Sequence, residues 1–315
     1  MRNVLITGIS GYLGRRLSLE LSRRQDIGTI VGIDIVAPTV SPGAVRFQAM
    51  DIRDPALAEL LRQNSIDTVF HLAFVVSPIH DLARMHDIDY NGTRNVLEQA
   101  ALCGVRQVVA ISSTLAYGAH PNNPPVLCED APLRGNRSFP YGFNKALVDD
   151  MMRAFAQSHP QMVLTILRPC TVFGPTVNNY VSRMLFLPVA VCVKGYDPLV
   201  QFVHEDDFVQ ACLLAMEKGV PGVFNIAGDG VIKASEIALM IGTKIIPVPD
   251  WIVYPLLECL WRLRVPGIEV NQGYLDYVRY EFIASNEKAK RELGFAPRYT
   301  SQETLEITIR RKRHA

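Results

Sequence analysis

Strand-like and helix-like segments alternate over the first 170 residues, and this order constrains the fold more than any other feature of the chain. Short apolar or β-branched runs are followed by stretches in which apolar residues recur with a helical period. The predicted strands are 4–6, 29–35, 45–47, 68–73, 107–111 and 163–167, and the predicted helices are 12–22, one started by Pro55, 81–103 and 140–158. This order predicts the α/β class, with a doubly wound parallel sheet and helices on both faces.

The alternation weakens after Pro169. Residues 171–200 contain several prolines and are predicted to be irregular, a strand–helix pair returns at 201–217, and 231–315 is predicted to be helical with loops. We therefore expect a smaller α/β lobe interleaved with the main sheet. The predicted sheet domain is 1–170, continued by about 201–228, and the predicted lobe combines 171–200 with 229–315.

A glycine-rich turn connects the first predicted strand to the first predicted helix. Gly8, Gly11 and Gly14 allow a tight turn and bring the backbone, with the free N–H groups of the helix, against a pyrophosphate. Asp34 ends the second strand, where its carboxylate can accept hydrogen bonds from ribose hydroxyls and repel a 2′-phosphate. The turn predicts a dinucleotide-binding Rossmann domain, and Asp34 favours NAD over NADP, although Arg15-Arg16 favours NADP weakly.

Tyr141 and Lys145 are four residues apart near the start of a predicted helix, so both side chains share one face. A nearby ammonium group and the positive end of the helix are expected to stabilise a phenolate, whose pKa is ordinarily near 10. Tyr141 is therefore predicted to act as a base on a substrate hydroxyl. The segment Ser112-Ser113-Thr114 follows the fifth strand, at the sheet edge where ligands bind in this fold.

Several motifs together make the chain similar to the extended short-chain dehydrogenases/reductases, especially their NAD-dependent epimerase/dehydratase group. They are Thr7-Gly8-x-x-Gly11-x-x-Gly14, Asp51-Ile52-Arg53-Asp54, His71-Leu72-Ala73, Asn91-Gly92-Thr93-Arg94-Asn95-Val96, Ser112-Ser113-x-x-x-Tyr117-Gly118, Tyr141-x-x-x-Lys145, Arg168-Pro169, Phe173-Gly174-Pro175, Phe202-Val203-His204-x-x-Asp207 and Leu293-Gly294-Phe295-x-Pro297. The resemblance covers nearly the whole chain.

The resemblance implies roles for individual residues. It implies that Ser113, Tyr141 and Lys145 are catalytic, that Lys145 also holds the nicotinamide ribose, and that Asp51 and Ile52 contact the adenine. The implied and predicted cofactor-binding residues are Gly8, Gly11, Tyr12, Leu13, Gly14, Asp34, Asp51, Ile52, Leu72, Ala73, Asn91, Ser112, Tyr141, Lys145 and Pro169.

Three departures from the family bear on the substrate. Thr114-Leu115 stands where the family's sugar-nucleotide dehydratases have an Asp-Glu pair, so dehydration is not expected. Thr171 replaces an Asn, and Val200 an Arg, that contact the diphosphate in sugar-nucleotide epimerases. The candidate substrate contacts are Thr114, Thr171, Asn179 and Arg279, and Arg279 is equally compatible with a surface position.

Composition limits the partners. The formal net charge is +1, so nucleic-acid binding is not expected. The six cysteines lack metal or disulfide spacing, which predicts no metal and a cytoplasmic location. The mean hydropathy of +0.13 comes largely from 184–193 and 251–261, which we interpret as core and dimer packing, an apolar pocket or a membrane-facing surface. No membrane-spanning segment is expected. The basic run 310–313 could attract an anionic surface, and the family resemblance favours a homodimer formed through the predicted helices 81–103 and 140–158.

Three functions remain open. The first is an NAD-dependent epimerase or oxidoreductase that transfers hydride reversibly at a secondary alcohol of a sugar or sugar derivative. The second is a dehydrogenase or reductase of a hydrophobic alcohol or ketone, similar to the steroid-dehydrogenase and flavonol-reductase relatives. The third is a nucleotide-binding sensor without catalysis, which the presence of Ser113, Tyr141 and Lys145 disfavours. Net release of NADH separates the second function from an epimerase.

Overall fold

A computed structural model of the chain describes residues 1–39 and 44–313. The strands are β1 (Arg2–Thr7), β2 (Ile27–Asp34), β3 (Val45–Ala49), β4 (Thr68–His71), β5 (Gln107–Ile111), β6 (Val163–Pro169), β7 (Thr171–Phe173), β8 (Val189–Val193), β9 (Leu199–Val200), β10 (Phe202–His204), β11 (Gly222–Ile226), β12 (Ile232–Lys233) and β13 (Lys244–Val248).

The α-helices of these residues are α1 (Tyr12–Leu21), α2 (Leu57–Gln63), α3 (Leu82–His86), α4 (Thr93–Leu102), α5 (Pro140–Ser158), α6 (Tyr180–Leu185), α7 (Glu205–Lys218), α8 (Ala234–Ile241), α9 (Asp250–Arg262), α10 (Tyr274–Tyr277) and α11 (Ser301–Arg313). Shorter helical turns lie at Asp87–Gly92, Thr114–Tyr117 and Ala289–Leu293.

The main sheet has seven parallel strands in the order β11-β6-β5-β4-β1-β2-β3. Successive side chains of a strand point to opposite faces, so Val4 and Ile6 pack in a core with α1 and α7, while Leu5 packs in a second core with α2, α4 and α5. Helices therefore cover both faces. The predicted α/β class and doubly wound parallel sheet are confirmed.

The helix predicted over 81–103 is interrupted by a wider turn at Asp87–Gly92, between α3 and α4. The Thr93 hydroxyl donates to the carbonyl of Asp89, and the Asp89 carboxylate accepts hydrogen bonds from the Val75 backbone N–H and the Asn144 amide. The wider turn thus accompanies an inward-facing polar side chain, as such turns often do at functional sites. Gly104 follows the helix with a φ of +71°, as expected of a residue that ends a helix.

The predictions for 171–200 and 231–315 were incomplete. Residues predicted as irregular or helical form five short strands in two-stranded sheets: β7 pairs with β10, which was predicted as a strand, β8 pairs with β13, and β9 pairs with β12. The partners β8 and β13 lie about fifty residues apart, and their parallel pairing is set by tertiary contacts. Short strands of this kind carry too little periodicity to be recognised from the sequence.

The second half of the chain leaves large apolar side chains open to solvent. On α9, Trp251 is 74% exposed and Leu256 is also exposed, as is Leu263 directly after the helix. Val189 and Val191 of β8 are similarly accessible. Among residues 1–39 and 44–313, no helix combines the length and the apolar character needed to cross a bilayer. The hydrophobic segments 184–193 and 251–261 therefore contribute in part to the exposed surface.

Candidate active site

The glycine-rich turn lies between β1 and α1, at the carboxyl edge of the sheet. Gly8 has a φ of +73°, and a Cβ there would lie 2.8 Å from the Ala73 nitrogen, so both conformation and space require glycine. A Cβ on Gly14 would clash with the Gly8 carbonyl oxygen. The turn therefore brings α1 close to β1 and leaves a backbone surface at the start of a ten-residue helix, which suits the pyrophosphate of a dinucleotide.

Tyr12 and Leu13, two predicted cofactor-binding residues of this turn, contact other parts of the protein. The Tyr12 hydroxyl donates a hydrogen bond to the buried Glu205 at the start of α7, and Glu205 also accepts one from Thr176. Tyr12 therefore links the turn to the segment after β7. Leu13 packs against the core under α1.

Asp34 is the last residue of β2, as the sequence indicated. One carboxylate oxygen accepts a hydrogen bond from the Ser10 backbone N–H at 3.1 Å, which places the acid beside the glycine-rich turn. This position suits the ribose contact that distinguishes NAD from NADP.

The residues implied for the adenine lie along an open polar depression beside α4. Asp51 pairs with Arg53 at 2.6 Å, and Arg53 also pairs with Asp87 at 2.7 Å. The hydrogen bonds of Arg53 hold the pKa of Asp51 below its usual range. The Asn91 amide donates to Asp87, whereas Ile52 is buried against Gly92. The structure thus brings Asp51, Ile52 and Asn91 to one region.

Leu72 and Ala73 follow β4 and meet the glycine-rich turn directly. The Ala73 backbone N–H donates to the Thr7 hydroxyl at 3.1 Å. The buried His71 ring bridges the hydroxyls of Thr7 and Thr93, at 2.8 and 2.9 Å. Burial lowers the pKa of His71 to about 3, so the ring stays neutral and serves as a structural bridge between β1, β4 and α4.

Tyr141 and Lys145 occupy the first turns of α5, which has Pro140 at its first position. The Lys145 ammonium donates to the Ile111 carbonyl at 2.8 Å and lies 3.5 Å from the centre of the Phe74 ring. Burial lowers the pKa of Lys145 to about 7. The Tyr141 ring packs edge-on against Phe74, with ring centres 5.7 Å apart. The predicted pair is therefore assembled on one face, as expected.

The expectation of a lowered phenol pKa is not met in the protein alone. Burial raises the pKa of Tyr141 well above its ordinary value, and the charge of Asp89 adds to this rise. The nearby Ser113 side chain acts in the opposite direction. Desolvation is the largest cause because Tyr141 packs among other aromatic side chains, including Phe74 and Phe139.

The segment after β5 carries buried hydroxyls beside this pair. Ser113 caps the short turn that follows, and its hydroxyl accepts from the Leu115 backbone N–H at 3.2 Å. The hydroxyls of Ser112 and Thr114 are buried, and neither has a hydrogen-bond partner in the described part of the chain. Unsatisfied buried hydroxyls are costly, so these two are suited to bind a ligand at the sheet edge. Pro169 ends the neighbouring β6.

Sequence reasoning missed one charged residue of this region. Asp89 is fully buried within the wider helical turn, and burial raises its pKa to about 6. Its charge acts on both Tyr141 and Lys145. The helical spacing from Met85 through Asp89 to Thr93 placed Asp89 on the buried face and was the signal available for it.

The candidate substrate contacts are dispersed and partly engaged elsewhere. The Asn179 side chain caps α6 by accepting from the Ser182 backbone N–H at 2.9 Å. Arg279 donates to Asp250 and to the Tyr196 hydroxyl, and its guanidinium lies 4.4 Å from the centre of the Tyr196 ring. Arg279 is therefore neither a simple surface residue nor a free cation. Thr171 lies on β7 and is half-buried.

Comparison with known proteins agrees with this geometry. The NAD dependent epimerase/dehydratase family matches residues 4–227. The chain therefore belongs to this family of the extended short-chain dehydrogenases/reductases, as its motifs indicated.

Individual relatives extend the likeness over the whole length. The uncharacterized protein Rv0501 of Mycobacterium tuberculosis is 30% identical over 316 residues, which cover 98% of this chain and 83% of the relative. The fold matches UDP-glucose 4-epimerase of Thermotoga maritima, solved with UDP-glucose, at a TM-score of 0.76 and 23% identity, covering 99% of both chains. It also matches dTDP-glucose 4,6-dehydratase of Bacillus anthracis, solved with NAD, at a TM-score of 0.77 and 18% identity, covering 100% of this chain and 97% of the other.

Proposed function

We propose that this protein transfers hydride reversibly between NAD and a secondary alcohol, with Tyr141 as the base. The observation that carries the proposal is the arrangement of Ser113 and Lys145 around Tyr141, next to Phe74, which follows the Ala73 that packs against the glycine-rich turn. The cradle formed at Gly8 and Gly14, and the unpartnered Ser112 hydroxyl, fit a dinucleotide. Asp34 supports NAD rather than NADP.

The chain's own residues would act on the substrate hydroxyl in a defined order. Ser113 orients this hydroxyl, and the Tyr141 phenolate removes its proton. Lys145 supplies positive charge close to the phenolate while its ammonium remains anchored to the Ile111 carbonyl. Bound NAD supplies the hydride acceptor. Lys145 is buried and Tyr141 is half-buried, which limits water at the pair. In an epimerase the same groups would return the proton after the ketone has turned.

Two substrate classes remain within this proposal. The sugar-nucleotide substrates of the structurally similar epimerase and dehydratase favour a sugar or sugar derivative. Thr114 and Leu115, in place of an acid pair, disfavour dehydration. A hydrophobic alcohol or ketone is the second candidate, and the apolar surroundings of Tyr141 favour it.

The decisive test combines NADH absorbance with product analysis. A dehydrogenase accumulates NADH with its substrate, whereas an epimerase interconverts two alcohols without net NADH. Conversion that is independent of added or bound NAD would contradict the proposal.

Assembly as a homodimer through α4 and α5 also remains a prediction, which sedimentation tests. The six free cysteines support the predicted cytoplasmic location.

A further inference from the structure

A chamber opens directly beside Tyr141, between the loop after β4 and the second half of the chain. Its enclosed volume is about 60 Å³, and it opens to solvent at its mouth. Its walls are mainly apolar and include Ile79, Leu82, Met85, Phe139 and Trp261. The Tyr141 side chain forms part of the wall, so a molecule whose hydroxyl meets the phenol can place its adjoining atoms in this chamber.

The chamber is closed on one side by two stacked rings. His80, from the loop after β4, stacks on Trp261 of α9 with ring centres 4.0 Å apart and an angle of 19° between the planes. This contact joins the loop after β4 to α9 across the chamber. The stack offers a flat apolar wall that suits an alkyl or ring group.

The residues that line the chamber do not suit a diphosphate. Its lining contains no lysine or arginine among the described residues. Arg279, a candidate substrate contact, lies outside this lining, where it pairs with Asp250 at 3.1 Å and packs against the rings of Tyr196 and Tyr280. Arg183 pairs with Glu269 at 2.9 Å. A dianionic group would have to displace these partners, whereas an apolar group needs no such rearrangement.

We propose that the chamber receives an apolar substituent next to the reacting carbon, so that the substrate is a lipophilic secondary alcohol or the corresponding ketone. The inference rests on the proposed function, because Tyr141 is the group that relates the chamber to the chemistry. The inference narrows the substrate class to molecules that carry alkyl or ring carbon next to the reacting carbon. A nucleotide sugar carries polar groups at that position.

The test uses Trp261 as a reporter of the chamber. The chain has two tryptophans, and Trp251 is exposed on α9, so Trp251→Phe leaves Trp261 as the single tryptophan. This protein is titrated with 2-butanol, 2-hexanol, 2-octanol and 2-decanol, and separately with UDP-glucose. We expect Kd to fall about fourfold for each added methylene until the chamber is full. UDP-glucose should leave the emission of Trp261 unchanged.

A matched pair of variants controls for general solvent effects. Ile79→Asn places an amide in the chamber, and Ile246→Asn makes the same change on β13, where Ile246 is exposed. Ile79→Asn should weaken 2-octanol binding at least tenfold, and Ile246→Asn should leave it unchanged, with melting temperatures confirming that both fold. A Kd that does not depend on chain length, or saturable quenching by UDP-glucose alone, overturns the inference.

The same titration in Tyr141→Phe separates this inference from the proposed function. Binding of the alcohols should persist, because the ring remains in the wall, while NAD-linked turnover is lost. If turnover survives in Tyr141→Phe, the proposed base is wrong although the chamber remains. If turnover is lost but the alcohol series shows no dependence on chain length, the chamber inference fails by itself.

Discussion

The core of the main sheet and the surface of the second half of the chain place their side chains in very different surroundings. Around the main sheet, even charged groups are fully enclosed and paired, as Arg168 is with Asp149 at 2.7 Å. In the second half, Trp251, Leu256 and Leu263 are exposed, and the pair between Arg183 and Glu269 is open to solvent. The sheet half is therefore a closely determined framework, whereas the second half has surfaces whose composition can change without disturbing the sheet.

This difference indicates where specificity resides. Several motifs shared with the family, including the glycine-rich turn and His71-Leu72-Ala73, lie at the sheet edge, where glycine conformation and buried hydrogen bonds leave few alternatives. The departures at Thr171 and Val200 fall outside the main sheet, on β7 and β9. A common hydride-transfer centre can thus be combined with a different substrate surface.

The largest expected effect is on catalysis in the sheet half. Tyr141→Phe should lower kcat by about 10³-fold, because general acid–base catalysis typically contributes 10²- to 10⁴-fold. Steady-state turnover of an identified substrate measures this loss. Tyr299→Phe is the control, since the Tyr299 ring packs on His204, and it should retain turnover. Comparable losses in both variants would indicate a general effect on folding.

The next effect concerns stability and tests the contrast directly. Asp149→Asn leaves the buried Arg168 without its charged partner and should lower the free energy of unfolding by about 3–5 kcal/mol. Arg183→Ala breaks the exposed pair with Glu269 and should cost at most about 1 kcal/mol. Urea denaturation measures both values. Equal losses would contradict the distinction between the two halves.

A pH dependence of stability is expected from Lys145. Burial lowers its pKa in the folded protein to about 7, compared with about 10.4 in an unfolded chain. Between these values the unfolded state binds more protons, so the contribution of Lys145 to stability rises with pH, by up to about 1.4 kcal/mol per pH unit. Unfolding should be measured from pH 7 to pH 10, where Lys145→Met removes this contribution.

The control for this effect is Lys218→Met, which changes an exposed lysine in the last turn of α7. Its stability should follow the same pH dependence as the unmodified protein. A Lys145→Met variant with an unchanged slope would show that the ammonium is accessible to water in solution.

The smallest effect is expected at the exposed apolar side chains of α9, which include Trp251 and Leu256 and which we call the exposed stripe. Leu256→Ser should change the free energy of unfolding by less than about 0.5 kcal/mol, because its side chain is already in contact with water. Sedimentation should also remain unchanged if the predicted dimer forms through α4 and α5. A large loss of stability, or dissociation of a dimer, would place this stripe in an interface between copies.

Much of the framework could be predicted because its signals are local. The position of the glycine-rich turn, the end of β2 at Asp34 and the shared helix face of Tyr141 and Lys145 all follow from spacing along the chain. The wider turn that buries Asp89 was not predicted, since a helical pattern does not show where the helix widens. The pairing of β8 with β13 was missed because it joins distant segments.

The sequence by itself determined the family, the order of the main strands and the identity of the groups at the sheet edge, because backbone conformation and side-chain periodicity depend on near neighbours. Only the tertiary structure decided how those groups are surrounded. It enclosed Tyr141 so that burial raises its pKa, engaged Arg279 with Asp250, and joined His80 to Trp261 beside the phenol. Desolvation, ion pairing and cavity shape depend on residues far apart in the chain, so they emerge only when the two halves fold together.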